Sequence, residues 1–370
     1  MEARQILQTL LKEVSDRGAS DIHVGPGFIP MLRLHGDLEP THFGQPLTPE
    51  ESRGLANLIM GEKLRARFEK KNEVDLAFSV TNGSRFRVNI YTQRGMVNLA
   101  IRVIPSTVPT FQSLNLPPVV QKLAENQRGL ILVSGTTGSG KSTTLAAIVD
   151  HINATRKAHV LTIEDPIEFV HKNKQSIVNQ RELGTDTDSY AEALRSAMRE
   201  DPNVILVGEM RDLETVSSAI TAAQTGHLVL STIHTTNTIQ IISRILDLYP
   251  PHQQAQVRLQ LAETLKGAIS QRLVPLADGG GRIAALEVMV VTPMIVKSIE
   301  ENNFSDVYNA VRTGEFYGMQ TFNQALVHLY NQGKVKLEDA MATASNPEEF
   351  MLAVRGIEAG ASSSHAYRPD

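Results

Sequence analysis

The most constraining feature of the sequence is a glycine-rich segment that fits the pattern G-x-x-x-x-G-K-[S/T], namely Gly135-Thr-Thr-Gly-Ser-Gly-Lys-Ser142. It follows a short apolar stretch and precedes an apolar-rich helical stretch, the setting in which this pattern forms a phosphate-binding loop. Glycines allow backbone N–H groups to point at phosphate oxygens, Lys141 can neutralise the β- and γ-phosphates, and the Ser142 hydroxyl can ligate Mg²⁺. The segment therefore predicts a site for ATP and Mg²⁺.

The alternative is a glycine-rich turn that binds nothing, and the complete pattern in a strand-loop-helix setting argues against it. The predicted nucleotide-binding residues are Gly135, Thr136, Thr137, Gly138, Ser139, Gly140, Lys141, Ser142 and Thr143. Ser142 is also a predicted metal ligand.

The sequence around this loop alternates short apolar segments with helical ones, and from about Thr292 it is predicted to be helical. Such alternation predicts an α/β fold with a parallel sheet covered on both faces, in which ligands bind at the carboxyl ends of the strands. The predicted strands are Leu130 to Val133, Val160 to Ile163, Val204 to Val207, Leu228 to Ser231 and Ile283 to Val291.

Residues 1–105 have a different pattern, in which β-hairpins predominate and predict a smaller α+β domain. A helix is predicted over residues 2–17 and a second from the capping box Thr48-x-x-Glu51 to Met60, while Asn82-Gly83 predicts a tight hairpin turn. The predicted strands are Ser20 to Val24, Met31 to Leu34, Val74 to Val80, Arg85 to Thr92 and Val97 to Ile104. A cluster of prolines predicts a linker at 106–118, followed by a nucleotide-binding domain at 119–358 and a disordered tail at 359–370.

Composition excludes several kinds of chemistry and argues against several classes of partner. Cysteine is absent, so disulfides, thiolate zinc sites and cysteine nucleophiles are excluded. The net charge of -4 provides no overall attraction for nucleic acid or anionic lipid, and we expect no nucleic-acid partner and no direct membrane insertion. No apolar run of 18 residues and no charged-then-apolar leader is present, so neither a membrane span nor a signal peptide is predicted. Any work at a membrane is expected to require recruitment.

Two predicted strands end in acidic residues that could orient water or hold a metal ion. The strand from Val204 leads to Glu209, and the strand from Val160 leads to Glu164 and Asp165. The residue before Glu209 is Gly208 rather than the usual acid, so we assign the metal-binding carboxylate to Glu164. The alternative for either acid is a strand cap or an ion pair with a neighbouring arginine.

Histidines and arginines supply further candidates. His227 and His234 flank a third apolar strand, where each could be a hydrogen-bonded structural residue, and His234 could instead sense a γ-phosphate. In the segment Arg85 to Tyr91, alternation places the arginines on the face opposite Phe86. A solvated sheet face is the simple interpretation, and an arginine finger that reaches a neighbouring subunit is the competing one.

Taken together, these motifs resemble those of the type IV pilus retraction ATPases, the PilT/PilU family of the secretion-ATPase superfamily, over nearly the whole chain. The segments that carry the resemblance are Ala19-Ser-Asp-Ile-His23, Ser142-Thr-Thr144 after the loop, Thr162-Ile-Glu-Asp-Pro-Ile-Glu-Phe-Val-His171, Ile205-Leu-Val-Gly-Glu-Met-Arg-Asp212 and Thr225-Gly-His-Leu-Val-Leu-Ser-Thr-Ile-His234. In that family they belong to the Walker A, Asp box, Walker B and His box motifs.

The resemblance implies a PAS-like first domain, a RecA-like ATPase domain and a homo-hexamer. It also implies that Glu209 is the catalytic glutamate, that the Asp box acid is Glu164, and that the His box histidines are His227 and His234. The arginines that act in trans fall on Arg87 and Arg102. Met294-Ile-Val-Lys-Ser-Ile299 departs from the helix motif that is common in the family, so the retraction subgroup stays open.

The implied function is a cytoplasmic motor that withdraws pilin subunits through an inner-membrane platform protein, with a paralogous ATPase as a possible ring partner. Pilus assembly and secretion ATPases are a competing interpretation, although they typically carry an extra N-terminal domain and a four-cysteine zinc motif. A RecA-like nucleic-acid motor and a nucleotide-gated binding module also stay open. Strong stimulation by DNA would indicate the nucleic-acid motor, and negligible turnover would indicate the binding module.

Overall fold

The structure is a computed structural model that describes residues 2–34, 36–80, 84–104 and 107–357. The predicted Asn82-Gly83 turn, Pro105 and the predicted tail at 359–370 lie outside these ranges. The chain divides into two compact units, of which the first comprises Met1–Thr107 with Pro166–Val170, and the second comprises Val108–Asp165 with His171–Asp370. The chain thus passes from the second unit to the first and back within the segment predicted as the Asp box.

The first unit is an antiparallel sheet with helices. Its elements in chain order are α1 (Ala3–Arg17), β1 (Asp21–Val24), β2 (Met31–Leu34), β3 (Asp37–Pro40), α2 (Pro49–Ile59), α3 (Glu62–Lys71), β4 (Glu73–Ser79), β5 (Arg85–Gln93) and β6 (Met96–Ile104). The strand order is β3-β2-β1-β6-β5-β4, and neighbouring strands pair antiparallel. The predicted helices and strands are present, and β3 and α3 are additional. Both carry few buried residues and hence little apolar pattern.

Local sequence explains how this unit begins. The helix α1 buries Ile6 and Leu10 on one face, and Gly18 ends it with a left-handed φ of 66°. At the start of α2, the Thr48 side chain accepts a hydrogen bond from the backbone of Glu51, whose carboxylate accepts one in return. On β5 the buried residues alternate with more exposed ones, so Phe86 faces the core as predicted.

The second unit contains the larger sheet. Its elements begin with α4 (Pro118–Ala124), β7 (Gly129–Ser134), α5 (Lys141–Thr155), β8 (His159–Glu164), β9 (Ile177–Glu182), α6 (Tyr190–Ala197), β10 (Val204–Val207), α7 (Leu213–Gln224), β11 (Leu228–Ile233), α8 (Thr238–Asp247), α9 (Pro251–Thr264), β12 (Leu265–Pro275) and β13 (Arg282–Val290). Helices follow to the end of the described chain: α10 (Pro293–Glu300), α11 (Phe304–Thr313), α12 (Phe322–Asn331), α13 (Leu337–Thr343) and α14 (Pro347–Val354).

The strand order in this sheet is β13-β12-β7-β11-β10-β8-β9, and the pairs from β12 to β9 are parallel. The predicted α/β fold with a parallel sheet is therefore confirmed. One edge differs from the prediction, because β13, expected as a parallel strand, runs antiparallel to β12. A short connection at residues 276–281 joins β12 to β13, and a connection of this length can join only antiparallel neighbours. The strands β9 and β12 were not predicted, because polar residues interrupt the apolar pattern of both.

Helices cover this sheet on both faces, as the apolar pattern predicted. On β7, Leu130 and Leu132 pack into one buried cluster with α6 to α11, while Ile131 and Val133 pack into another with α4 and α5. Every residue of β7, β10 and β11 is buried. Since parallel strands point the same way, their carboxyl ends meet at one edge, where the candidate site lies.

Candidate active site

Four neighbouring strands bring the candidate residues to one edge of the sheet. The phosphate-binding loop follows β7, His234 follows β11, Glu209 follows β10 after one intervening residue, and Glu164 ends β8. These strands are consecutive in the sheet, in the order β7-β11-β10-β8. Residues that are up to 99 positions apart in sequence, from loop residue Gly135 to His234, are therefore gathered at one edge.

The loop itself is closely packed around Lys141. The ammonium Nζ of Lys141 donates to the carbonyl oxygens of Gly135 and Thr136, at 2.9 Å and 3.0 Å. The residue is 9% exposed and begins α5, so its charge is held inside the loop at the positive end of a helix dipole. Backbone N–H groups and an ammonium in this arrangement form an anion-binding site.

The glycine requirement of the loop comes from close approach as well as from backbone angles. Gly135 and Gly140 have φ values of 145° and 89°, and α5 begins immediately after Gly140. A Cβ atom on Gly135 would lie 2.5 Å from the carbonyl oxygen of Gln271, and one on Gly140 would lie 2.8 Å from the Gln271 side chain. Gln271, on β12, also accepts a hydrogen bond of 2.7 Å from Thr144 on α5. This buried glutamine therefore packs against the loop from the neighbouring strand β12.

The loop contains an unsatisfied polar atom. The hydroxyl oxygen of Ser139 is buried and has no hydrogen-bond partner within the described residues. A buried hydroxyl without a partner costs about 1–3 kcal/mol, so such atoms in proteins generally meet a water or a ligand. Its place between Gly138 and Gly140 is where a phosphate oxygen would supply the missing partner.

Glu209 lies at the centre of the acidic part of the site. Its Oε1 atom accepts from Nε of Arg211 at 2.7 Å and lies 3.0 Å from Nε2 of His234, and its side chain is 15% exposed. Burial by itself would raise the pKa of Glu209, but the hydrogen bond from Arg211 and the charges of His234 and Arg211 together lower it. The carboxylate is thus held ionised and oriented.

Glu164 is held by side chains of its own strand and the next. Its Oε1 atom accepts from the Thr162 hydroxyl at 2.6 Å and from the Gln180 amide at 3.1 Å. The side-chain oxygen of Gln180 in turn accepts from the backbone N–H of His171 at 2.8 Å. Glu164 is therefore oriented by a small network that includes β9, a strand that was not predicted.

The structure explains the glycine that replaces the usual acid before Glu209. A Cβ atom on Gly208 would lie 2.8 Å from the Tyr190 hydroxyl and 3.2 Å from the carbonyl oxygen of Ile163. Burial raises the pKa of Tyr190, and the negative charges of Asp165, Glu209 and Glu164 raise it further, so the phenol stays protonated among these acids. A tyrosine hydroxyl thus occupies the space beside Gly208 that a second acidic side chain would need.

His227 lies elsewhere in the unit. It precedes β11, whereas His234 follows this strand, so the two are seven residue steps apart, or roughly 23 Å at 3.3 Å per residue. The Nδ1 atom of His227 lies 2.9 Å from the carbonyl oxygen of Ala222 at the end of α7. Within one chain, His227 therefore does not join the residues around the loop, and its catalytic role stays a prediction.

The predicted arginine fingers lie in the first unit. Arg87 on β5 is paired directly opposite Arg102 on β6, so both side chains project from the same face of the sheet. Arg102 is 68% exposed, and its Nε donates to Oδ1 of Asp21 at 2.7 Å. Asp21 belongs to the Ala19 to His23 motif, and its contact with Arg102 was not predicted.

Some contributors to the site were missed from sequence. Arg211 was visible only as part of a motif, and nothing in its local pattern showed that it would bind Glu209. Gln271 and Gln180 lie on the two strands that were not predicted, so their positions had no basis before the sheet order was known. Tyr190 is the first residue of α6. The unusual glycine at position 208 was the one sequence feature that could have indicated a bulky side chain packed beside Glu209.

Two negative findings apply to residues 2–34, 36–80, 84–104 and 107–357. No group of three or more His, Asp or Glu side chains is arranged there to hold a metal ion. No helix in the described part of the chain combines the length and apolar character needed to cross a bilayer.

Comparison with known proteins agrees with this geometry. Residues 2–363 match the family described as type II/IV secretion system protein. The type IV pilus retraction ATPase PilT of Pseudomonas aeruginosa is 46% identical over 341 residues, covering 92% of this chain and 98% of the relative. A twitching motility protein of Neisseria gonorrhoeae is also 46% identical, over 87% of this chain and 86% of the relative.

A solved structure shows the same fold. The crystal structure of the pilus retraction motor PilT with bound ADP is 49% identical in sequence and has a TM-score of 0.86, covering 92% of this chain and 97% of that chain. The fold, the phosphate-binding loop and these relatives define an ATP-hydrolysing enzyme of the P-loop class. The chain belongs to the type II/IV secretion system protein family, and the predicted resemblance to pilus retraction ATPases is confirmed.

Proposed function

We propose that this chain is the ATP-driven motor that retracts a type IV pilus and thereby powers twitching motility. The observation that carries the proposal is the hydrogen-bonded pair of Glu209 and His234 on the strand ends beside the phosphate-binding loop. This pair provides an ionised carboxylate and a neighbouring donor where the terminal phosphate of ATP would lie. The identity of 46% to a pilus retraction ATPase over nearly the full length supports retraction as the work that hydrolysis performs.

In this proposal ATP binds with its β- and γ-phosphates against the loop. The ammonium of Lys141 would exchange its carbonyl contacts with Gly135 and Thr136 for phosphate oxygens, which carry more charge. The hydroxyl of Ser139 would gain the partner that it lacks within the described residues. The backbone N–H groups at the start of α5 complete the cradle.

Ser142 and Glu164 are suited to hold Mg²⁺. Both offer oxygen atoms, the kind of ligand that Mg²⁺ prefers, and Glu164 is already oriented by Thr162 and Gln180. Phosphate oxygens and water would complete the coordination, as is usual for nucleotide-bound Mg²⁺. When bound, the ion would neutralise charge on the phosphates.

Glu209 is the proposed residue that orients the attacking water. The contacts from Arg211 and His234 both reach Oε1 of Glu209, and we assign the hydrogen bond from the attacking water to Oε2. The lowered pKa of Glu209 keeps the carboxylate ionised at neutral pH. His234 can report the presence of the γ-phosphate through the same contact, since any movement of its ring changes the hydrogen bond to Glu209.

Arg87 and Arg102 are proposed to complete the site in trans. A guanidinium supplied by a neighbouring subunit would stabilise charge that develops on the transferred phosphoryl group, which is worth roughly 10³ to 10⁵ in rate where such fingers are known. This arrangement requires a ring, and we propose a homo-hexamer. Hydrolysis would then depend on the subunit interface and could be converted into movement between subunits.

The proposed partners follow from retraction. The ring would act on an inner-membrane platform protein from the cytoplasmic side, and a paralogous retraction ATPase is a candidate second component. No nucleic acid and no direct insertion into the membrane are proposed.

Two measurements test the proposal. Glu209→Gln should retain ATP binding and lose turnover, whereas Lys141→Ala should lose both. Undiminished hydrolysis by either variant would refute the assigned roles. A strain that lacks the chain should keep surface pili but fail to retract them, and a strain without any pili would instead indicate an assembly motor.

A further inference from the structure

A buried carboxylate outside the candidate site is bound to the segment that follows His234. Glu287 on β13 is 6% exposed, and its Oε1 atom accepts from the backbone N–H of Thr238 at 2.7 Å and from the Thr238 hydroxyl at 2.9 Å. Thr238 is the first residue of α8, so Glu287 satisfies a backbone donor that has no partner within its own helix. Only three residues separate this point from His234.

The same carboxylate lies near the start of a second helix. The backbone N–H of Phe322, the first residue of α12, faces Glu287 closely enough to lower its pKa. One buried group thus lies at the amino ends of two helices, α8 beside the candidate site and α12 in the C-terminal helices. Negative charge is favourable at both positions because the dipoles of the two helices present their positive ends there.

Arg272 on β12 provides the second connection. Its guanidinium carbon lies 3.9 Å from the centre of the Phe322 ring, and its nitrogens donate to the carbonyl oxygens of Thr343 at 2.6 Å and of Thr236 at 3.3 Å. Thr236 lies in the loop between His234 and α8. The loop is therefore held by Arg272 at its middle and by Glu287 at its end.

Burial would be costly for these charges without mutual compensation. Burial raises the pKa of Glu287, and the hydrogen bonds from Thr238 and the charge of Arg272 offset this only in part. Burial likewise lowers the pKa of Arg272, against the opposing effect of Glu287. Glu287 accepts from Thr238, and Arg272 donates to Thr236 and Thr343, so the hydrogen bonds that offset the cost of burial are made to the loop and to the helix ends.

We propose that Glu287 and Arg272 are positioning residues that fix the loop of residues 235–237 and thereby place His234 against Glu209. The pair also links that loop to α12 and to the end of α13, so a displacement of His234 on phosphate binding would reach the C-terminal helices through two short connections. This inference rests on the proposed function, because it takes His234 as the residue that senses the γ-phosphate.

The test measures the preference of the full-length chain for a non-hydrolysable ATP analogue over ADP, together with kcat, KM and thermal unfolding. Glu287→Ala should reduce the preference by roughly tenfold, and Glu287→Gln should reduce it less because the amide oxygen can still accept from Thr238. Arg272→Lys keeps the positive charge but cannot reach Thr236 and Thr343 together, so it should reduce the preference as well.

The matched control is Asn346→Ala, which removes a helix cap from α14 and leaves the loop untouched. It should lower the unfolding temperature without changing the nucleotide preference. The inference is overturned if the folded Glu287 and Arg272 variants lose stability as this control does but keep the wild-type preference. If Glu287→Ala does not fold, Arg272→Lys decides the question alone.

A parallel measurement separates this inference from the function on which it rests. His234→Gln should itself reduce the preference for the ATP analogue. If it does and Glu287→Ala does not, only the positioning role fails. If His234→Gln leaves the preference unchanged, the proposed role of His234 fails, and the positioning role fails with it.

Discussion

The Nε2 atom of His234 lies 3.0 Å from the Oε1 atom of Glu209, so residues that follow two adjacent parallel strands meet at the sheet edge. Arg211 binds the same oxygen from the chain segment that follows Glu209. One donor thus comes from a neighbouring strand and the other from the local sequence. This division suggests different effects when each donor is removed.

Removal of Arg211 should shift the pH dependence of turnover. Without its hydrogen bond and charge, burial should dominate, and the pKa of Glu209 should rise. Arg211→Ala should therefore move the acidic limb of the kcat profile to higher pH. The measurement is steady-state ATP hydrolysis across pH, with Arg195→Ala as the control because Arg195 pairs with Glu214 at an exposed position. An unshifted limb would count against Glu209 as the group that titrates.

A side chain at position 208 should destabilise the fold by colliding with the Tyr190 hydroxyl, and removal of that hydroxyl should relieve the collision. Gly208→Ala would bring its Cβ within 2.8 Å of the Tyr190 hydroxyl, and we expect a loss of about 1–3 kcal/mol in the free energy of unfolding. Tyr190→Phe removes that hydroxyl, so the double variant should regain part of the loss. Urea unfolding of the single and double variants measures this coupling. Strictly additive effects would show that the hydroxyl is not the obstacle.

A partly buried histidine should make the second unit sensitive to mild acid. Burial lowers the pKa of His171 from 6.5 to about 4, in spite of the nearby Asp150. As the pH falls below 6.5, His171 becomes protonated in the unfolded chain but stays neutral in the folded chain. The free energy of unfolding therefore decreases, by up to about 3 kcal/mol at pH 4. His171→Phe should lose this dependence. Parallel pH curves for wild type and variant, measured by urea unfolding, would contradict the assignment.

Arginines that act in trans should allow inactive subunits to complement each other. Arg102→Ala and Glu209→Gln should each be nearly inactive alone. Mixed rings should recover turnover of about tenfold or more over either variant, because some interfaces combine a wild-type Arg102 with a wild-type Glu209. The control mixture of Lys141→Ala with Glu209→Gln has no intact site in any subunit and should stay inactive. Absence of recovery in the first mixture would place the arginine in cis or outside the reaction.

Much of the nucleotide site was readable from sequence because its chemistry is local. Gly135 to Ser142 are contiguous, and the backbone angles, the lysine and the hydroxyl that phosphate binding needs all lie within eight residues. The central strands were equally readable. A parallel strand covered on both faces must be apolar throughout, and β7, β10 and β11 are such runs.

Contacts between distant segments were not readable. The strand order decides that His234 meets Glu209, whereas the direction of β11 places His227 at the opposite end of that strand. Likewise, Gln271 contacts the loop from β12, a strand that was not predicted because polar residues interrupt its apolar pattern. Asp21 binds Arg102, which lies 81 residues away in the sequence.

The sequence alone therefore determined the class of chemistry and the covered parallel sheet, since both depend on residue types within a few positions of one another. Tertiary structure alone decided which ionisable groups share a hydrogen bond, because that depends on strand order and on the depth at which each side chain is buried. Glu287 shows the difference most clearly. In the sequence it is one acid within an apolar strand, and in the fold it binds the amino end of α8 and lies near that of α12.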